Sequence, residues 1–303
     1  MKYVSYFILI VSVLFLNSCN SKTLEKKINS FSIAFMTDIH LQPELNAPQG
    51  FIQAMDSINA FSPDFVISGG DLIMDALGQS YGRADSLYNL YNEMVKRLKM
   101  PVYNTMGNHE IYGLYKESKA DVNNPEYGEK MFEERIGKSY YSFEHKGWKF
   151  YIINSIEDTK RNSYIGWIDS TQLDWIKQDL SKTDTKMPIV LTTHIPLLTA
   201  FMQKYHGSTI KNDSSLVVAN SKELLDLFAG HNLKLVLQGH LHTVEDISID
   251  GIHFITGGAV SGAWWTGPNL KFEEGFTQIT FKDNTFVTKY KDYGWEVSKK
   301  AEK

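Results

Sequence analysis

Residues 101–110, "PVYNTMGNHE", run from a short apolar, β-prone segment into Gly-Asn-His-Glu. Alone, that ending reads as a turn: Gly107 and Asn108 are ordinary turn residues, and a single loop histidine is usually just solvated. Recurrence changes the reading. "FSIAFMTDIH" (31–40), "DFVISGGDL" (64–72), "PIVLTTHIP" (188–196) and "LKLVLQGHLH" (233–242) are built alike, each an apolar run closed by polar side chains.

Helical patterns fill the spaces between these runs. Phe51, Met55 and Ile58 in 51–61, and Leu87, Leu90, Tyr91, Met94, Val95 and Leu98 further on, fall at helical spacing. Thr171, with Asp174 three positions on, is expected to cap a helix running to 180, and a further helix is expected at 221–229. Residues 139–155 read as a hairpin turning at His145–Gly147, and the polar stretch 113–138 as an insertion over the site. The tail, 244–291, has short alternating stretches and is expected to be all β. Strands alternating with helices predict a layered α/β fold, and the late β segments predict a second sheet.

Polar donors collect where the apolar runs end: Asp38 and His40, Asp71, Asn108 and His109, His194, then His240 and His242. In an open α/β sheet the carboxyl ends of the strands face the ligand crevice. One such histidine would mean little; a donor at the end of every run points to a common site. In Asp38-Ile39-His40 and His240-Leu241-His242 the partners are two apart, which on a strand turns them to one side, toward one metal. Carboxylate, imidazole and amide oxygen suit Mn, Fe or Zn, and a donor set without cysteine is unlike a structural zinc site.

In this order, Asp38-Ile39-His40, Gly70-Asp71, Gly107-Asn108-His109-Glu110, His194 and Gly239-His240-Leu241-His242 resemble the five motif blocks of calcineurin-like metallophosphoesterases. The match runs from about Phe31 to about Gly258. The resemblance implies a four-layer αββα sandwich with mixed sheets around two metal ions. One ion would take Asp38, His40 and His242, the other Asn108, His194 and His240, with Asp71 bridging. It also implies hydrolysis of a phosphate ester, monoester or diester, by in-line attack of a hydroxide held between the metals. Asp71, Asn108 and His109 would be the catalytic residues. His109 would stay unliganded and, with Asn108, contact the phosphate or protonate the leaving alkoxide. Glu110 is expected to hold the loop through backbone N–H groups.

Two departures narrow the likeness. Purple acid phosphatases have a Tyr three after the bridging Asp, where this chain has Met74, so a Tyr–Fe(III) centre is not expected. The Asp-Arg-Gly run of protein Ser/Thr phosphatases is missing from "GGDLIMDALG". What remains is similar to the bacterial phosphodiesterase and phosphatase group with Gly-His-x-His. A pyrophosphatase acting on nucleotide- or lipid-diphosphates is the alternative within the enzyme class; a catalytically silent binding lipoprotein is the alternative outside it.

The N-terminus speaks to location. Lys2 precedes an almost wholly apolar run, Tyr3 to Leu16, of signal-peptide rather than membrane-spanning length. "LNSC" (16–19) follows, and Cys19 is the only cysteine, so the segment resembles a lipobox. Residues 1–18 are thus expected as a lipoprotein signal peptide, Cys19 as the lipidation site, 19–30 as a tether and 31–303 as the enzyme domain. The expected home is the bacterial cell envelope, with the chain exported, membrane-anchored and facing the periplasm. A lone cysteine excludes intramolecular disulfides. A net charge of -4 and a pI near 6.1 argue against nucleic acid as a partner. The expected partner is a phosphorylated small molecule or lipid, and no protein partner is evident.

Trp264 and Trp265 in "SGAWWTGPN" (261–269) read either as packing of the second sheet or as a stacking wall for a base, sugar or lipid headgroup. Tyr112, Tyr115 and His206 lie in or beside the insertions and are candidate pocket residues. His145, His231 and His253 fall outside the motif blocks and read as structural.

Overall fold

The structure, a computed structural model, describes residues 29–160 and 162–297. The expected leader and Cys19 lie outside them. Thirteen strands are β1 (Ser30–Met36), β2 (Phe65–Ser68), β3 (Val102–Asn104), β4 (Tyr141–His145), β5 (Trp148–Ile152), β6 (Ile156–Asp158), β7 (Tyr164–Gly166), β8 (Pro188–Thr192), β9 (Asn232–Gln238), β10 (Val244–Ile249), β11 (Ile252–Gly257), β12 (Gly275–Lys282) and β13 (Thr285–Asp292). The helices are α1 (Ala47–Phe61), α2 (Tyr81–Met94), α3 (Lys130–Arg135), α4 (Ser170–Leu180), α5 (Phe201–His206) and α6 (Ser221–Leu227).

Among the described residues two main sheets form, in the orders β13-β12-β1-β2-β3 and β10-β11-β9-β8-β5-β4, and β6 and β7 pair in a separate two-stranded sheet. β1, β2 and β3 run parallel, as do β5, β8, β9 and β11, while the pairs β1–β12, β12–β13, β10–β11 and β4–β5 are antiparallel. Alternation along the strands produces the layers. Ile33 and Phe35 of β1 join Ile67, Phe150, Val190, Leu235, Leu237 and Ile279 in a cluster made of strand residues from both sheets. Their neighbours Ala34, Met36, Val66, Tyr151, Leu191 and Val236 face the other way, against Phe51, Ile58 and Leu87 of α1 and α2 or Ile176 and Leu224 of α4 and α6. Period-two burial on both faces requires a cover on each, and the result is the expected αββα sandwich.

Three expectations are corrected. The late β segments are not a sheet of their own. β10 and β11 extend one sheet, whereas β12 returns to pair with β1 in the other, from Ser30↔Lys282 to Phe35↔Thr277. That pairing removes an open edge from β1 and stacks Phe281 on Phe31 at 4.5 Å. The cap of α4 is Asp169, whose carboxylate accepts from Gln172 N at 3.0 Å, not Thr171. Helix α1 starts at Ala47, four residues before its first apolar marker, with Pro48 in the first turn.

Candidate metal centre

Five of the parallel strands, β1, β2, β3, β8 and β9, each stop short of the donors that follow them. β1 ends at Met36 and β9 at Gln238, so Asp38, His40, His240 and His242 lie in loops rather than on strands. Asp38, His40, Asp71, His240 and His242 all have positive φ, between 45° and 71°. Strand geometry therefore does not turn these donors to one side. Left-handed backbone, uncommon for non-glycine residues, curls each loop so that its donors turn inward. Backbone bonds hold the curls: Asp38 N donates to Gly70 O, His40 N to Asp71 O and Leu41 N to Leu72 O. The two loops thus stay paired beyond the last rungs of β1 and β2.

Glycines permit the approach. A Cβ on Gly107 would sit 2.2 Å from Asp71 N and Oδ1, and Gly70 itself has φ 95°. Glu110 then ties the two loops together. Its carboxylate accepts from Gly107 N (2.6 Å), Asp71 N (2.9 Å), Leu72 N (2.8 Å) and Ile73 N (3.2 Å). Burial and the neighbouring Asp71 push Glu110 up, to about 8, against the pull of these N–H groups. The expected loop-holding role agrees with this geometry.

The donors converge on two points. At the first, His40 Nε2 and His242 Nε2 are 3.0 Å apart, Asp38 Oδ1 lies 3.4 Å from His242 Nε2, and Asp71 Oδ2 lies 3.5 Å from His40 Nε2. At the second, His194 Nε2 is 3.1 Å from Asn108 Oδ1, 3.3 Å from His240 Nδ1 and 3.2 Å from the same Asp71 Oδ2. The other oxygen of Asp71 accepts from His109 N, so one carboxylate oxygen fixes the loop and the other faces both points. Asp38 His40 His242 and Asp71 His194 His240 each gather within 4.8 Å.

Carbonyl groups set the tautomers. His194 Nδ1 donates to Gly69 O (2.8 Å), His242 Nδ1 to Gly262 O (2.6 Å) and His240 Nε2 to Ser215 O (3.0 Å). In each ring the nitrogen left without that proton faces the centre, as a metal ligand requires. His40 Nδ1 has no hydrogen-bond partner among the described residues.

The electrostatics agree. Burial would raise Asp71, but His194 and His109 hold it well below the usual carboxylate range; Asp38 is lowered against burial by His242. Burial would lower His194, yet Asp71 and Asp38 keep it near 9, while burial and His194 drive His240 to about 4. Ionised carboxylates in a dry pocket call for positive charge, which protonated His194 supplies here and which metal ions would supply in its place once Nε2 gives up its proton. Two divalent cations sharing Asp71 fit this donor set.

His109 also comes within 4.8 Å of His40 and Asp71, but at the mouth of the pocket. Its Nδ1 donates to Met74 O at 2.5 Å, and its ring meets His40 edge-on at 4.6 Å. Nε2 lies 4.0 Å from Asp71 Oδ2, on a side chain 22% exposed. It opens into a cleft of about 460 Å³ lined by Gln42, Leu77, Arg83, Asn108, Tyr115 and Tyr164, among others. Tyr115 is thus a pocket residue, but Tyr112 is buried against Tyr81 and His206 ends α5 in solvent. Trp265 is also corrected: only 1% exposed, it donates Nε1–H to Ile39 O and His40 O, and has no free face for a substrate. Trp264 is 41% exposed, with its ring 4.6 Å from that of His242. Sequence reasoning missed Gln42 and Tyr164, and the carbonyls of Gly69, Met74, Ser215 and Gly262. A carbonyl leaves no mark on side-chain identity, so only the fold locates it.

Comparison with known proteins bears on what such a centre does. A family model described as calcineurin-like phosphoesterase matches residues 31–244. A probable cyclic nucleotide phosphodiesterase of Fibrobacter succinogenes is 25% identical over 240 residues, covering 78% of this chain and 79% of its own. The human manganese-dependent ADP-ribose/CDP-alcohol diphosphatase is 22% identical over 231 residues, 60% of this chain and 66% of its own. A dimetal phosphatase from Danio rerio has a similar fold, with TM-score 0.61 at 14% identity over 87% of this chain and 96% of its own.

Proposed function

The chain belongs to the calcineurin-like phosphoesterase family, and from that membership we propose that it is a dimetal phosphodiesterase with Mn, Fe or Zn in the centre. The observation carrying this reading is the convergence of seven buried or nearly buried donors on two points that share Asp71 Oδ2. Asp38, His40, His242 and Asp71 would hold one cation, and Asn108, His194, His240 and Asp71 the other. When bound, such a pair supplies Lewis-acid charge to the phosphoryl oxygens and an activated water at neutral pH. The chain's own residues orient the ester and manage its proton.

Asn108 and His109 face the cleft from one short helical turn, Asn108–Glu110, so both would bracket the phosphoryl group. With Nδ1 committed to Met74 O, the His109 ring exchanges protons only at Nε2, which would protonate the leaving alkoxide. The cleft beside it has room for an alcohol leaving group. A diester also agrees with the phosphodiesterase name of the Fibrobacter relative. The name of the human relative supports a second reading, a phosphoanhydride substrate, which likewise has two substituents on the attacked phosphorus. A silent binding protein is disfavoured, because every donor and His109 are in place. On the sequence of residues 1–19 we also assign the chain to the cell envelope, anchored through Cys19.

The test compares bis(p-nitrophenyl) phosphate with p-nitrophenyl phosphate, using manganese-loaded protein and an Asn108→Ala control. Diester turnover well above monoester turnover, lost in the control, is expected. A monoester preference would overturn the diester reading.

A further inference from the structure

A cleft beside His109 accounts for one arm of a diester. The second arm needs a place, and the loop after β11 supplies one. Residues 259–269 clasp the loop that carries Asp38 and His40. Val260 N donates to Thr37 O, and both Ser261 N and Ser261 Oγ donate to Asp38 O. Gly262 O receives His242 Nδ1–H, and Asn269 Nδ2 donates to His242 O. Trp265 is the anchor, with its indole buried and its Nε1–H on Ile39 O and His40 O.

Trp264 is treated differently by the same loop. Trp264 and Trp265 both adopt positive φ, 51° and 68°, a conformation that bulky residues avoid. Two consecutive left-handed tryptophans are held there by the anchor, and the outcome is that Trp264 stays 41% exposed. Its ring lies 4.6 Å from that of His242 and 5.8 Å from that of His40. It does not line the cleft that holds His109, Tyr115 and Tyr164. Trp265 and Trp148 are buried, whereas Trp264, like Trp167 at 38%, keeps an exposed side; what sets Trp264 apart is its place beside His40 and His242.

Building on the phosphodiester reading, we propose that Trp264 is the stacking wall for a planar, uncharged aromatic group, such as a nucleobase, on the substituent retained by the phosphorus. A single open indole face suits a flat ring, because every base has a π-face to stack. A quaternary ammonium headgroup is normally enclosed by an aromatic cage, and here it would also sit beside the cations that the centre demands. Leaving-group chemistry thus falls to the His109 cleft, and choice of substrate falls in part to Trp264.

The experiment measures calorimetric binding of adenosine 5′-monophosphate and ribose 5-phosphate, which differ only in the base, to manganese-loaded protein. Wild type is expected to prefer the nucleotide by roughly tenfold or more, the scale of one base stack. Trp264→Ala should bring the two ligands within about threefold of each other, and Trp264→Phe should keep most of the preference. Nucleotide quenching of tryptophan emission, present in wild type and absent in Trp264→Phe, reads the same contact in a variant that retains an aromatic ring. An undiminished preference in Trp264→Ala, or phosphocholine bound more tightly than the nucleotide, would overturn the proposal. So would equal wild-type affinity for both sugar phosphates, which leaves phosphoester hydrolysis intact. Failure to bind any phosphate, together with no hydrolysis of either aryl ester, would instead sink the phosphodiester reading beneath it.

Discussion

The two ends of the double sheet are built on opposite terms. Where the parallel strands begin, aromatic rings fill the gap between the sheets. Phe31 stacks on Phe281 at 4.5 Å, Trp148 packs edge-on to Phe281 at 4.6 Å, and Phe143 stacks on Phe150 at 5.0 Å. Where the strands end, the same two sheets present buried carboxylates, imidazoles and left-handed backbone. The first end stabilises by removing apolar surface from water; the second costs desolvation and backbone strain. One end of the sandwich is therefore held by apolar burial, and the other by paired charges on a left-handed backbone.

The contrast is sharpest where one end changes and the other does not. His109→Ala should cut diester turnover by about 10²- to 10⁴-fold, the range of a lost general acid. Its melting temperature should stay close to wild type, since His109 is neither a donor to the centre nor buried. A large drop in thermal stability would show that His109 belongs to the scaffold.

Phe150→Ala is the mirror image. It should destabilise by about 3–5 kcal/mol in denaturant melts, as large aromatic truncations in cores do. Turnover per folded molecule should hold. Activity lost in the folded fraction would mean that the two ends are not independent.

Glu110 is the residue that joins the ends' concerns. Glu110→Gln puts an amide N–H₂ against backbone donors, so the curls at Asp71 and Gly107 should loosen. Metal affinity or activity should fall by about 10- to 100-fold, the usual effect of a ligand-positioning partner. Manganese titration with both readouts checks this; unchanged affinity would make Glu110 a purely structural tie.

The smallest effect belongs to the rim. Arg135 reaches Glu126, Asp85 and Tyr81, joining the 113–138 insertion to α2. The Arg135 guanidinium holds Glu126 below its ordinary carboxyl value of 4.5. A carboxylate lowered by folding adds stability that is present above its unfolded value and fades as pH falls through the folded one. Arg135→Ala should therefore cost about 1–2 kcal/mol at pH 7 and distinctly less at pH 3. Thermal melts at both values decide it; an equal cost at both would place the effect in packing.

Legibility in the sequence follows the same division. Asp38, His40, Asp71, Asn108, His194, His240 and His242 were readable because donors to a metal must be particular side chains in a particular order. The layers were readable because strands buried on both faces are apolar throughout. Other features left weaker marks. The left-handed curls at Asp38 and Asp71 are centred on non-glycine residues; Gly69, Gly70, Gly107 and Gly239 nearby hint at crowding. β12's return to β1 is a long-range choice between edges, set by Phe281 meeting Phe31 rather than by any local pattern. Trp264 and Trp265 are identical in type and adjacent, so burial of one and exposure of the other had to come from the tertiary contacts of Ile39 and His40. The short hairpin β6–β7, which brings Tyr164 to the cleft, and helix α5 fall in stretches too brief to show a period.

The central claim is that one carboxylate, Asp71, joins two metal positions. Electron paramagnetic resonance of the protein titrated with manganese tests it directly. A shared Asp71 predicts two ions per chain and the multiline spectrum of an exchange-coupled pair, collapsing to isolated-ion lines in Asp71→Ala. Saturation at one ion per chain, or two uncoupled six-line signals in wild type, would contradict it.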